Sequence, residues 1–143
     1  MLEALAQTPG EFARRVCGVS ETDTVAVVPR GVKEIPDYGF YGLSSLRRVE
    51  LPEGVLVLTC GVDTQDDRLE YEVVGWGRYD ESWGIKKGVI MGDPNDGEPW
   101  LRLDDVIDHV YRFENGRGLK ISITCVDSGG HKTQSVYRHC HER

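Results

Sequence analysis

Two aspartates, Asp63 and Asp127, end similar apolar stretches of the sequence. LTCGVD ends at the first and ITCVD ends at the second, and each stretch then enters a turn. If the stretches are parallel neighbouring strands, their carboxyl ends share one edge of the sheet, where open α/β sheets place their functional sites. Two carboxylates at one edge repel each other, and a divalent cation relieves that repulsion. Carboxylate oxygens favour Mg²⁺ or Mn²⁺, which can activate water for attack on a phosphodiester.

The same aspartates also have a purely structural interpretation. An aspartate at the end of a strand often accepts a hydrogen bond from the backbone of the following turn, and this alternative stays open for both. We expect Asp66 and Asp67, just beyond the first aspartate, to be solvated turn residues rather than ligands. His131 is expected at a turn or at the start of a helix, with contact to a phosphate or a metal-bound water as the alternative.

Four strands and a helix are predicted to bring the aspartates together. The continuous apolar run VLVLTCGVD is typical of a strand buried on both faces. The alternation in RLEYEVVGWGR predicts its antiparallel partner, and SWGIKKGVIMG is predicted to be a third strand. Helical spacing over 100–111, with Gly116 past its end, predicts a helix. LKISITCVD is predicted to be the fourth strand, and residues 133–141 are predicted to begin a second helix. In this β-β-β-α-β-α order the helix is a crossover that returns the fourth strand parallel to the first.

The segment 25–54 differs from the residues that follow it. VPRGV at 28–32 recurs 23 residues later as LPEGV at 51–55, with Leu, Ile and Phe at short intervals between them. This pattern resembles one turn of a BspA-type leucine-rich repeat. A single turn cannot bury its own faces, so it would pack on its neighbour or be a remnant. A Pro/Gly-rich linker is the alternative, and residues 1–24 are predicted to be helical or disordered.

The composition narrows the class of protein. The 143 residues suggest about one domain. With 17 Lys and Arg against 24 Asp and Glu, the net charge of −7 argues against a self-sufficient nucleic-acid binder. Apolar runs are far shorter than the ~18 residues of a membrane span, and the N-terminus lacks the features of a secretory signal. The four cysteines are widely spaced, which predicts free thiols in a reducing compartment: Cys17, Cys60, Cys125 and Cys140.

Residues 55–143 resemble the start of the nuclease domain of GpA-type terminase large subunits from lambda-like phages. The resemblance is carried by LPEGVLVLTCGVDTQDDRLEYEVVGWG, ESWGI…GVIMGDP, DDVIDHVYRF and ISITCVDSGGHKTQSVYRHC. It implies a ribonuclease H-like α/β fold, here truncated, that cuts concatemeric double-stranded viral DNA with a divalent metal during genome packaging. The family's strand-end acids fall on Asp63 and Asp127, which would hold Mg²⁺ or Mn²⁺ and orient the attacking water.

The resemblance also implies partners and a location. These are double-stranded DNA, the terminase small subunit and the portal, in the host cytoplasm and without a membrane. The family takes a third acid from a later helix that this sequence does not reach. Its ATPase motor is not found here either, because GGHKT at 129–133 does not fit the phosphate-binding pattern G-x-x-x-x-G-K-[ST].

Activity of the chain by itself is therefore left open. The main alternative is a non-catalytic terminase fragment that acts as a structural or interaction module together with the repeat-like turn. A cell-surface leucine-rich-repeat protein is disfavoured by the single turn and the lack of a signal peptide.

Overall fold

A computed structural model describes residue 17 and the ranges 25–27 and 48–143. Along these residues the strands and helices occur in the following order: β1 (Val25–Val27), β2 (Arg48–Glu50), β3 (Val57–Thr64), β4 (Arg68–Trp76), β5 (Ser82–Met91), α1 (Glu98–Asp108), β6 (Tyr111–Arg112), β7 (Gly118–Leu119), β8 (Ile121–Val126) and α2 (Thr133–Glu142). None of the helices in this part of the chain is long and apolar enough to cross a membrane.

The central element is a mixed four-stranded sheet with the order β5-β4-β3-β8. β3, β4 and β5 pair antiparallel as consecutive strands. After the crossover through α1, β8 returns parallel to β3. This arrangement confirms the predicted mixed α/β fold class, and it is consistent with a ribonuclease H-like nuclease.

One face of this sheet, the covered face, packs against the helices. Pro99 lies in the first turn of α1, and the apolar side chains of the helix recur at the three- and four-residue spacing that forms one stripe. That stripe meets alternate residues of the strands, and Val136 of α2 joins the same core. The fully buried centre contains the following side chains: Leu58, Leu69, Val73, Trp83, Ile85 and Leu103.

The other face, the open face, is exposed in the described part of the chain. Along β3 the buried and exposed side chains alternate, so Leu58, Cys60 and Val62 are buried while Val57 and Asp63 are not. The prediction that this strand is buried on both faces is therefore wrong. The apolar residues of one strand do not reveal whether a second layer covers it, and within the described residues the helices lie against one face of this sheet.

The helix ends earlier than the sequence indicated. Helical spacing predicted 100–111, but α1 ends at Asp108 because His109 leaves the helical region with φ −59° and ψ 139°. Tyr111 instead opens a short antiparallel ribbon of β6 and β7, which was not predicted. Its hydroxyl donates to the carbonyl of Val106 at 3.1 Å, which keeps the ring against the end of the helix.

The N-terminal strands attach to this ribbon. β1 and β2 pair in parallel, and the pairing of Val25 with Arg48 repeats the 23-residue spacing found in the sequence. Next to β2, the backbone N–H of Leu51 donates to the carbonyl of Arg112 at 2.8 Å, and Leu51 bridges Phe113. Of the repeat-like segment predicted at 25–54, residues 28–47 lie outside the described residues, as does the segment 1–24 apart from Cys17, so both interpretations remain predictions. All four cysteines are free, as predicted.

Candidate metal centre

The two predicted site residues lie next to each other at the carboxyl ends of β3 and β8. Val62 and Val126 are paired in the parallel ladder, and the backbone N–H of Asp127 donates to the carbonyl of Val62 at 2.8 Å. Asp63 and Asp127 are therefore the next residues along two neighbouring strands, which in sheets lie about 4.8 Å apart. Both carboxylates are exposed and continue the alternation of the open face.

Each carboxylate is oriented by the loop that follows its strand. Asp127 Oδ1 accepts a hydrogen bond from the backbone N–H of Gly129 at 2.8 Å, which is the turn geometry considered as the structural alternative. Asp63 Oδ2 accepts one from Gln65 Nε2 at 2.6 Å. A carboxylate has about four lone-pair sites, so holding one oxygen in a turn leaves the other able to meet a cation. The turn role and the ligand role are therefore compatible.

Further acidic residues line the neighbouring strand β4. Glu70 lies directly opposite Asp63 in the register of β3 and β4. Arg68 offsets part of this charge, because its Nε donates to Glu70 at 2.7 Å and its Nη1 to Asp67 at 2.8 Å. Those hydrogen bonds, that to Glu70 first, raise the pKa of the Arg68 guanidinium. Glu70 is thus held by an arginine, whereas the carboxylates of Asp63 and Asp127 are held by neutral donors.

The donor set suits a hard cation rather than a thiophilic one. Among the residues that the structure describes, no group of three or more His, Cys, Asp or Glu side chains is placed to hold a metal ion. Cys60 does not join this pair, because its side chain is buried on the covered face, where burial and then the charge of Cys125 raise the pKa of its thiol to about 11. What remains is a pair of exposed carboxylates with room for water, which fits Mg²⁺ or Mn²⁺.

The loops beside the pair are placed as the sequence suggested. Asp66 and Asp67 form the exposed turn between β3 and β4, as predicted. His131 lies in the turn before α2, and its Nδ1 is 3.4 Å from Asp66 Oδ1. The loop after β8 and the turn after β3 therefore touch beside the two aspartates.

A set of polar contacts that the sequence did not reveal fixes the loop after β8. Lys132 Nζ donates to Asp93 Oδ1 at 2.8 Å, and Ser135 Oγ donates to Asn95 Oδ1 at 2.7 Å. The hydrogen bond from Lys132, followed by one from the backbone N–H of Asn95, lowers the pKa of Asp93. These partners are separated by 39 and 40 residues, so no local pattern could have indicated them.

The C-terminal part of α2 is fixed in the same way. The Arg143 guanidinium binds the carboxylates of Asp104 and Asp108 on α1. His139 stacks on the ring of Trp100, with 4.5 Å between ring centroids. Both helices therefore act as one support for the loop that carries Asp127.

These features define an α/β nuclease-like domain. The chain belongs to the family described as "Terminase large subunit gpA, endonuclease domain". The sequence model of that family matches residues 40–143. The terminase large subunit of Escherichia phage lambda is 42% identical over 87 residues, which cover 61% of this chain and 14% of that protein. The terminase large subunit of Enterobacteria phage P21 is 39% identical over 88 residues, covering 62% of this chain and 14% of the relative. The chain thus spans a small part of these relatives. No solved structure matches it.

Proposed function

We propose that this chain contributes the metal-binding edge of a terminase endonuclease, with Asp63 and Asp127 as ligands of Mg²⁺ or Mn²⁺. The observation that carries this proposal is the register of β3 and β8, which sets the two aspartates side by side on an exposed edge. When bound there, the cation would polarise a phosphodiester and supply an activated water. The chain's own contribution is to hold both carboxylates at fixed positions and to orient that water.

The orientation of the carboxylates supports this role. Gln65 and the N–H of Gly129 each hold one oxygen, so little rearrangement is needed when a cation binds. Without a cation the two negative charges repel each other, which disfavours the empty site and favours cation binding. The same repulsion would keep phosphate away until the charge is neutralised, so metal and DNA should bind cooperatively.

The substrate and partners follow from the family. The substrate we propose is concatemeric double-stranded viral DNA, cut during packaging in the host cytoplasm. The terminase small subunit and the portal are the proposed protein partners. The net charge of −7 fits a domain that depends on a cation and on the rest of its assembly to hold DNA.

DNA binding tests the proposal without requiring turnover. The affinity of the chain for a fluorescent DNA duplex is measured with and without Ca²⁺, which replaces Mg²⁺ and suppresses cleavage. Ca²⁺ should raise the affinity several-fold, and Asp63→Asn or Asp127→Asn should each remove that gain. Asp105→Asn is the matched control, because it removes one exposed carboxylate from α1 and should keep the gain. An affinity indifferent to Ca²⁺ and to both substitutions would contradict the proposal.

A non-catalytic terminase module is the second candidate. It is favoured by the two-carboxylate donor set of the described residues and by the pairing of Leu51 with the β6–β7 ribbon, which joins the N-terminal strands to the sheet domain. This candidate predicts that Ca²⁺ leaves DNA affinity unchanged, so the same titration separates the two.

A further inference from the structure

The loops that follow β3 and β8 meet at a single pair of side chains. His131 lies four residues beyond Asp127, and Asp66 lies three residues beyond Asp63. His131 Nδ1 is 3.4 Å from Asp66 Oδ1, while 88% of the histidine side chain and 71% of the aspartate side chain stay exposed. The imidazole is therefore presented to solvent beside the two proposed ligands, and its Nε2 lies on the side of the ring away from Asp66.

The loop that carries this histidine is fixed from both sides. Thr133 Oγ1 lies within hydrogen-bond distance of the carbonyls of Ser128 (2.7 Å) and Gly130 (3.0 Å). Lys132 is mostly buried and bound to Asp93. Because Lys132 and Thr133 are held by these contacts, His131 has a defined position in the loop. A Cβ at Gly130 would meet nothing within 4 Å, so the space next to the residue that precedes His131 is open.

The charges at this edge indicate which ligand would use that space. The cationic groups of Arg68 and Lys132 are each held in ion pairs with carboxylates of the chain. His131 makes one long contact with Asp66, and most of its side chain stays exposed. DNA that approaches two carboxylates meets a negative potential, and a protonated imidazole can offset it by donating to a phosphate oxygen.

We infer that His131 contacts a backbone phosphate of DNA bound at the Asp63–Asp127 edge, with Asp66 holding the Nδ1 side of its ring. This inference rests on the function proposed above. It assigns His131 to the binding of substrate, beside the two metal ligands and separate from them.

Salt dependence of DNA affinity tests the contact. Each phosphate contact by a cation contributes about 0.9 to the slope of log affinity against log salt. Duplex titrations with Ca²⁺ are run at pH ~5.5, on the acid side of the range in which histidines generally change charge. His131→Ala should make the fall of log affinity with log salt shallower, by about 0.9 in slope. Between 50 and 200 mM salt, wild type should therefore lose about 3.5-fold more affinity than the variant.

Two further variants make the result specific. His131→Lys should keep the wild-type slope, because it restores a cation at the same place. His141→Ala, which removes an exposed histidine from the end of α2, is the matched control and should leave the slope unchanged. A wild-type slope in His131→Ala would overturn the inference, as would a lowered slope in both histidine-to-alanine variants.

The outcome also separates this inference from the proposed function. If Ca²⁺ raises DNA affinity through Asp63 and Asp127 while His131→Ala keeps the wild-type slope, the metal site stands and the phosphate contact is wrong. If Ca²⁺ has no effect on DNA affinity in wild type, the proposed function itself fails.

Discussion

The two faces of the central sheet are built from alternate residues of the same strands, yet one is buried and the other is largely exposed. On the covered face, Leu58 and Ile85 are buried under the helices; on the open face, Val57 and Ile123 remain exposed. The open face also ends in the acidic edge that carries Asp63. One face therefore supplies stability, and the other supplies the exposed carboxylates that we propose bind a metal.

The open face is itself divided along the strands. Towards one end it is apolar, with exposed Trp76 and Ile123. Towards the other end lie Asp63 and Asp127, with Glu70 on the adjacent strand. Trp76 lies on the open face, where its Nε1 donates to Thr59 Oγ1 at 2.8 Å. Aromatic residues in an alternating strand can lie on either face, and composition does not decide which.

The largest difference between the faces should appear when the same side chain is shortened on each. Ile85, 2% exposed, and Ile123, 60% exposed, lie in the same sheet. Ile85→Ala should lower the free energy of unfolding by about 2–5 kcal/mol, because it leaves a cavity in the core. Ile123→Ala should change it by no more than about 1 kcal/mol. Chemical denaturation measures both, and equal losses would show that the open face is covered in solution.

A second pair of variants probes the space next to each face. An added Cβ at Gly88 would lie 2.5 Å from the Tyr71 hydroxyl oxygen, whereas at Gly61 it would meet nothing within 4 Å. Gly88→Ala should therefore destabilise the protein by about 1–3 kcal/mol through overpacking. Gly61→Ala should be neutral or stabilising by up to about 1 kcal/mol, because glycine weakens a strand. Thermal unfolding compares the two, and a large loss in Gly61→Ala would mean that something packs on the open face.

The smallest effect concerns the ion pair that ties the loop after β8 to the turn before α1. The pKa of Asp93 is lowered by Lys132, so the stabilisation is present above the unfolded-state pKa of Asp93. It is lost as the pH falls through the lowered folded-state pKa. Asp93→Asn should be slightly less stable than wild type at neutral pH, and the difference should vanish in acid. Melting temperatures at several pH values test this; a difference that grows in acid would have the wrong sign.

The sequence predicted those features of the sheet that depend on the local pattern of apolar and polar residues. Alternation in RLEYEVV indicated an antiparallel strand, and the helical stripe after Trp100 indicated the crossover that makes β8 parallel to β3. From that order the meeting of Asp63 and Asp127 at one edge could be expected before any coordinates.

The rest could not be predicted because it depends on what lies outside each strand. Whether Val57 or Ile123 is covered depends on a second layer of secondary structure, which the residue types of one strand do not reveal. The β6–β7 ribbon has two residues per strand, too few for a periodic signal. Lys132 and Asp93 are joined across 39 residues, and single-sequence patterns do not report such distant pairs.

The central claim is that Asp63 and Asp127 share one divalent cation, and paramagnetic broadening of backbone amide signals during a Mn²⁺ titration tests it most directly. A shared cation should broaden signals selectively around both aspartates at low Mn²⁺. Either Asp63→Asn or Asp127→Asn should weaken this broadening, and Asp66→Asn should retain it. Broadening spread over all acidic surfaces and unchanged in the first two variants would contradict it, and the aspartates would then serve only to form their turns.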